Sequence, residues 1–367
     1  MRDPRVTNLA RILVRYSTEV SEGETCVIEG PVAAEPLIVA VYEEVLTAGG
    51  NPIVAMSFEG QAAAYYRLAS DAQLEWVSPL SEWAAAESDC RIAIGADTNT
   101  RQLSQVDPSR QTMRQSATRH LMETTMNRSA EGSYRWVYTL FPTNGYASDA
   151  EMSLQGFEDF YFAACLATDD DPVGAWRRAS EECERLAEWM SGRSEVHVTA
   201  PGTDIRLGIE GRTVIPCAGR HNMPDGEFFT GPVEDSVEGE VSFHLPAVIG
   251  GREVTGVRFK FEAGKIVDAS AERNEDYLIK LLDTDEGARR LGELGIGTNY
   301  GIDRGTRDVL LDEKIGGTVH MAVGASYPES GGTNESAVHT DLVCDLRQGG
   351  RIEVDGELLQ KDGVFQV

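Results

Sequence analysis

The chain changes texture at about residue 193, and that change limits the folds open to it. Before it, short apolar runs alternate with helical stripes. Leu9, Ile12, Leu13 and Tyr16 fall at i, i+3, i+4 and i+7, one face of an opening helix. Strand-like runs at 25–28, 51–56, 89–94 and 135–139 are separated by helical segments at 36–48, 62–68 and 109–125. Helices at 153–167 and 172–190 close this half. Strands alternating with helices imply βαβ units and a largely parallel sheet. After residue 193, runs at 196–200, 203–209, 240–243, 254–261 and 265–271 alternate in hydropathy and are punctuated by turns at Gly264, Gly356 and Gly363. A single helix is expected at 274–291. The fold class is therefore α/β: an N-terminal α/β domain over 1–193 with a largely parallel sheet, then a mostly antiparallel, β-rich domain over 194–367.

Sixty acidic residues against 33 basic ones set a net charge of −27. So acidic a surface repels nucleic acid and anionic membrane, which removes two partner classes. Solubility accounts for such a surface, and adaptation to high salt is the sharper expectation, because concentrated salt screens like charges over a few ångströms. No apolar run approaches the ~20 residues of a membrane span. The opening Met-Arg-Asp-Pro-Arg lacks the apolar stretch of a signal peptide, so a cytoplasmic location is expected. The six cysteines (26, 90, 165, 183, 217, 344) form no CxxC pair, which argues against a disulfide framework or a thiolate zinc site. They read as small core residues.

The chemistry gathers late in the chain. His339 and Asp341 lie at i and i+2 of a strand-like run, so an imidazole and a carboxylate project from one face. Such a pair is as readily a structural hydrogen bond. Gly316-Gly-Thr-Val-His-Met-Ala-Val-Gly324 again threads one histidine, His320, through an apolar run. Imidazole with carboxylate is ordinary ligation for a divalent metal. Two acids stand out by context: Glu227, between a turn and two phenylalanines, and Glu293, at the end of the expected 274–291 helix where glycines begin. Gly295-Ile-Gly-Thr-Asn-Tyr-Gly301 approaches a dinucleotide fingerprint, but Tyr300 takes the third glycine's place. GxxxxGK[ST], GxSxG and HExxH are absent. Cys344 falls on the opposite strand face from His339 and Asp341, so it is assigned to the core.

Taken together, these segments resemble the thermophilic metalloaminopeptidase family of the aminopeptidase T, aminopeptidase S and PepS type. The resemblance runs over almost the whole chain. It is carried by Arg135-Trp-Val-Tyr-Thr-Leu-Phe-Pro-Thr143, Ala150-Glu-Met-Ser153, Asn222-Met-Pro-Asp-Gly-Glu227 and Thr284-Asp-Glu-Gly-Ala-Arg-Arg-Leu-Gly-Glu293, then by the His320 run through Ala325-Ser-Tyr-Pro328 and by Asn334-Glu-Ser-Ala-Val-His-Thr-Asp341. The segment 295–314 resembles the shorter archaeal members. The resemblance implies metal ligands at Glu227, Glu293, His320, His339 and Asp341 and an active-site tyrosine at Tyr327. It implies two divalent ions per chain (zinc, cobalt or manganese), peptide substrates with a free N-terminus, and a homodimer enclosing the active sites. In that scheme Glu293 bridges the ions, Glu227, His339 and Asp341 complete one shell, and His320 serves the other. Tyr327 donates to the oxyanion, and Glu227 doubles as general base. The alternative on the same scaffold is a mononuclear non-haem Fe(II) ring-cleaving dioxygenase using His320, His339 and Asp341. Retention of both Glu227 and Glu293 favours two metals.

Overall fold

The computed structural model describes residues 3–367. The chain divides into two compact units, one of residues up to 177 together with 219–224, the other of 178–218 together with 225–367. The texture change at 193 thus differs from the division, which falls inside the helix Pro172–Met190.

In the first unit, five parallel strands lie in the order Asn51–Ser57, Thr25–Pro31, Cys90–Gly95, Arg135–Leu140, Asn222–Met223. The inner strands bury Cys26, Val27, Ile28, Ile92, Ala93 and Ile94, the near-continuous apolar runs of strands covered on both faces. The last strand comes from far along the chain because its partners are specific. Tyr138 pairs with Asn222 and Thr139 with Met223. The buried Tyr161 hydroxyl accepts from the Leu140 N–H at 2.8 Å and donates to the Met223 carbonyl at 3.0 Å.

The second unit is antiparallel. An eight-stranded sheet runs Lys265–Ser270, Arg258–Glu262, Glu238–Ser242, Thr203–Gly208, Glu195–Ala200, Arg351–Val354, Glu357–Lys361, Val364–Phe365. A five-stranded sheet runs His339–Asp345, Thr318–Gly324, Leu291–Gly297, Glu227–Thr230, Ile215–Cys217. Both contribute to one apolar core that includes Val196, Ile205, Phe228, Leu294, Ile296, Val319, Met321, Leu342 and Ile352. Cys344 is buried in that core, as strand alternation requires.

One expected element differs. The helix near 274 ends at Leu282, and residues 291–297 form a strand. Between them Asp285 accepts the Ala288 N–H at 2.9 Å and starts a separate short turn at Gly287–Arg289. Glu293 therefore projects from the Leu291–Gly297 strand instead of ending a helix, just after a β-bulge between Leu291 and Glu293.

Candidate metal centre

All seven residues of both Leu291–Gly297 and Thr318–Gly324 are buried, so these strands are rigid and dry on both faces. Alternation separates the faces: Leu294, Ile296, Val319 and Met321 enter the core, while Glu293, Gly295, His320 and Ala322 take the other side. Across the ladder Glu293 pairs with Ala322 and Ala322 with Asp341, while Gly324 pairs with His339 and Gly297 with Glu227. Large ionisable side chains thus stand over a floor of glycine and alanine. Gly295 lies directly opposite His320, and a Cβ there would overlap the imidazole ring. Gly295, first of the glycines in the run that approaches a dinucleotide fingerprint, is thus clearance for a histidine.

All five expected ligands converge here. His320 Nε2 lies 3.0 Å from Glu293 Oε1 and 3.5 Å from Glu227 Oε2. His339 Nε2 lies 3.6 Å from Glu293 Oε2 and 3.7 Å from Asp341 Oδ1. In each histidine Nδ1 faces a backbone carbonyl, of Glu313 at 3.0 Å and of Ala325 at 2.8 Å. A carbonyl only accepts, so Nδ1 carries a hydrogen in both rings, and Nε2 offers a lone pair to an ion once its own proton is lost. Tyr327 stands over the opening, 43% exposed, its ring 5.0 Å from that of His339 and 5.5 Å from that of Phe229.

Two neighbours lacked any strong sequence signal. Glu313 and Lys314 lie in Asp312-Glu-Lys314, which reads as an ordinary charged surface turn. Instead Lys314 is fully buried, 3.5 Å from Glu227 Oε1 and ion-paired with Glu313. The only available hint was the rarity of lysine, five in the chain.

The electrostatics are those of a cluster with too much negative charge. Burial pushes the Glu227 carboxyl up to about 8, helped by Glu313 and Asp225 and opposed by Lys314 and His320. Burial likewise raises Asp341 to about 6. For His320, burial would lower the value, but the Glu293 hydrogen bond and the surrounding carboxylates outweigh it and raise it to about 10. Burial opposes the charge on Lys314 too, yet Glu227, Glu313 and Asp225 hold it well above the usual lysine range. Burial, followed by the carboxylate field, keeps Tyr327 a neutral phenol.

Glu227 Oε2 and Glu293 Oε2 are buried and accept no hydrogen bond. A buried carboxylate oxygen without a donor is costly, and a divalent cation removes the cost. Donor atoms within 4.8 Å of one another fall into three overlapping sets: Glu227, Glu293 and His320; Glu293, His339 and Asp341; Glu313, His320 and Asp341. The residues fit metal, and hard oxygen with imidazole suits a divalent ion.

A donor set of this kind on the buried face of a sheet fits a metal centre. The family model described as Thermophilic metalloprotease (M29) matches residues 2–365, and the chain belongs to that family of peptide hydrolases. Aminopeptidase T of Thermus aquaticus is 28% identical over 98% of this chain and 95% of its own length. The solved structure of wild-type AmpT from Thermus thermophilus superposes with a TM-score of 0.86 at 25% identity, covering 99% of each chain. The structure of a 2,5-dihydroxypyridine dioxygenase from Pseudomonas putida KT2440 matches with a TM-score of 0.57 at 14% identity, covering 98% of this chain and 96% of that one, which is a likeness of fold alone.

Proposed function

We propose that the chain is a metal-dependent aminopeptidase that releases N-terminal residues from peptides through two divalent ions. One observation carries the count of two: Glu293 belongs to two donor sets, joining Glu227 and His320 on one side to His339 and Asp341 on the other. Glu227 thus groups with His320 and not, as expected from the resemblance, with His339 and Asp341. In this reading Glu293 is the bridging carboxylate. Zinc, cobalt or manganese suits the donors. Bound there, such ions supply a water of lowered pKa and polarise the scissile carbonyl. The residues do the rest. The Glu313 and Ala325 carbonyls fix both imidazoles with Nε2 inward, so the donors are oriented before any ion arrives. Glu227, whose buried Oε2 accepts no hydrogen bond and lies at the donor cluster, is assigned to take the proton of the attacking water. Tyr327, kept protonated, donates a hydrogen bond to the tetrahedral oxyanion. The surplus carboxylates suit a substrate ammonium group.

The iron dioxygenase reading needs only His320, His339 and Asp341 and leaves Glu227 and Glu293 as buried acids without a task, so it is the weaker one. The test is hydrolysis of leucine p-nitroanilide and of its N-acetylated form, before and after dialysis against chelator, with metal content per chain. Metal-restored cleavage of the free-amine substrate alone is expected. Ring cleavage of a dihydroxypyridine with iron, and no peptidase activity, would reverse the choice. The expected homodimer is checked by light scattering, which should give twice the 40.0 kDa of one chain.

A further inference from the structure

Lys314 takes no part in the scheme above, yet its ammonium group is fully enclosed. Its side chain has no exposed surface, and its Nζ stands between Glu227 Oε1 at 3.5 Å and the Glu313 carboxylate. The two oxygens of Glu227 are thereby divided, Oε1 toward Lys314 and Oε2 toward His320 Nε2. Glu313 is divided too, its carboxylate on Lys314 and its carbonyl on the His320 ring.

The backbone that delivers Lys314 is fixed from several sides. The Asn299 N–H donates to the Lys314 carbonyl at 3.1 Å, and Asn299 also bridges to Ile315. Two residues earlier the buried Asp312 carboxylate accepts from the Thr306 N–H, the Thr306 hydroxyl and the Arg307 N–H, at 2.6, 2.8 and 2.9 Å. The ammonium is therefore held in place and does not wander in from solvent. Glu227 and Glu313 pair with the ammonium, and Asp225 adds to the negative field on it. Glu293 and Asp341 complete the donor cluster around His320, so Lys314 is the cluster's one permanent cation.

Building on the metal-centre assignment above, we propose that Lys314 is a tethered cation standing in for metal charge. It holds the Glu227–Glu313 end of the cluster together when the ions are gone, and by the same charge it restrains metal affinity when they bind. It is a positioning residue and touches no substrate. A buried ion pair that served packing alone would behave differently, since a hydrophobic replacement of similar volume would shift loaded and metal-free protein equally.

The experiment uses the full chain, with zinc affinity measured by competition with a chromophoric chelator and melting recorded with and without zinc. Lys314→Met keeps the length and removes the charge. It is expected to bind zinc roughly tenfold or more tightly and to widen the melting gap between loaded and metal-free protein by about 2–3 °C. Lys314→Arg, which keeps the charge, is expected to stay near wild type. Unchanged or weaker zinc binding by Lys314→Met, or Lys314→Arg behaving like it, would overturn the proposal. So would failure of Lys314→Met to fold in zinc-supplemented medium, where the ions replace the missing charge. Failure of the underlying assignment looks different: wild-type protein would then bind no zinc against the chelator.

Discussion

Glu293 is the side chain on which most of the site depends, because it approaches both histidines from between. Glu293→Gln preserves shape and removes one charge. Turnover is expected to drop by on the order of 10³ or more while the circular dichroism of the metal-free protein is unchanged. Near-normal activity would sink the bridging role. A second expectation concerns pH. Glu227 and His320 both have proton affinities raised above their ordinary values, to about 8 and about 10. A raised value stabilises the metal-free fold below the ordinary one and loses that contribution as pH rises through the raised one. Ligation instead requires deprotonated donors. The melting gap between loaded and chelator-treated protein should therefore widen from about pH 5 to about pH 9. A gap that narrows over this range would contradict these proton affinities. At this scale His339 and Asp341 were legible from i, i+2 spacing, and His320 from a lone polar residue in an apolar run. Lys314 was not, because charge in a polar turn carries no mark of burial.

The strands set what the residues can do. The strand-like run that holds His339 and Asp341 begins as strand at His339, and residues 334–338 before it are tied down by side chains. Asn334 donates from Nδ2 to the Gly287 and Gly324 carbonyls at 2.9 and 2.6 Å, clipping the Gly287–Arg289 turn to the end of the His320 strand. Asp285 accepts from the Ser336 hydroxyl and the Ala337 N–H. Asn334→Ala should lower stability by about 1–3 kcal/mol, since the Gly324 carbonyl loses its Asn334 donor and the Gly287 carbonyl is left with the Arg290 N–H. It should also weaken metal binding, because the loosened segment leads into His339. Melting and metal titration of the variant test both, and unchanged values would mean the clip is idle. Parallel strands were readable from their continuous apolar runs. The Leu291–Gly297 strand was not, because Ala288 and Leu291 continue an apolar pattern that also suits a helix, and only Asp285 capping a new turn ends it.

For the whole molecule, the net charge of −27 leads to a salt prediction. Self-repulsion opposes the compact state, and salt screens it. The melting temperature is expected to rise between dilute buffer and molar KCl, and indifference would remove high-salt adaptation from consideration. No helix among the described residues is long and apolar enough to cross a membrane. The sequence by itself determined the local periodicities, and through them a parallel α/β unit, an antiparallel β unit and the faces on which His320, His339 and Asp341 project. Tertiary structure alone decided which strand Glu293 would join, which glycine would clear His320, that residues 219–224 return to the first sheet, and that Lys314 is enclosed among carboxylates. The reason is physical. Periodicity is written by neighbours three or four residues apart, whereas register, clearance and burial depend on partners tens of residues away.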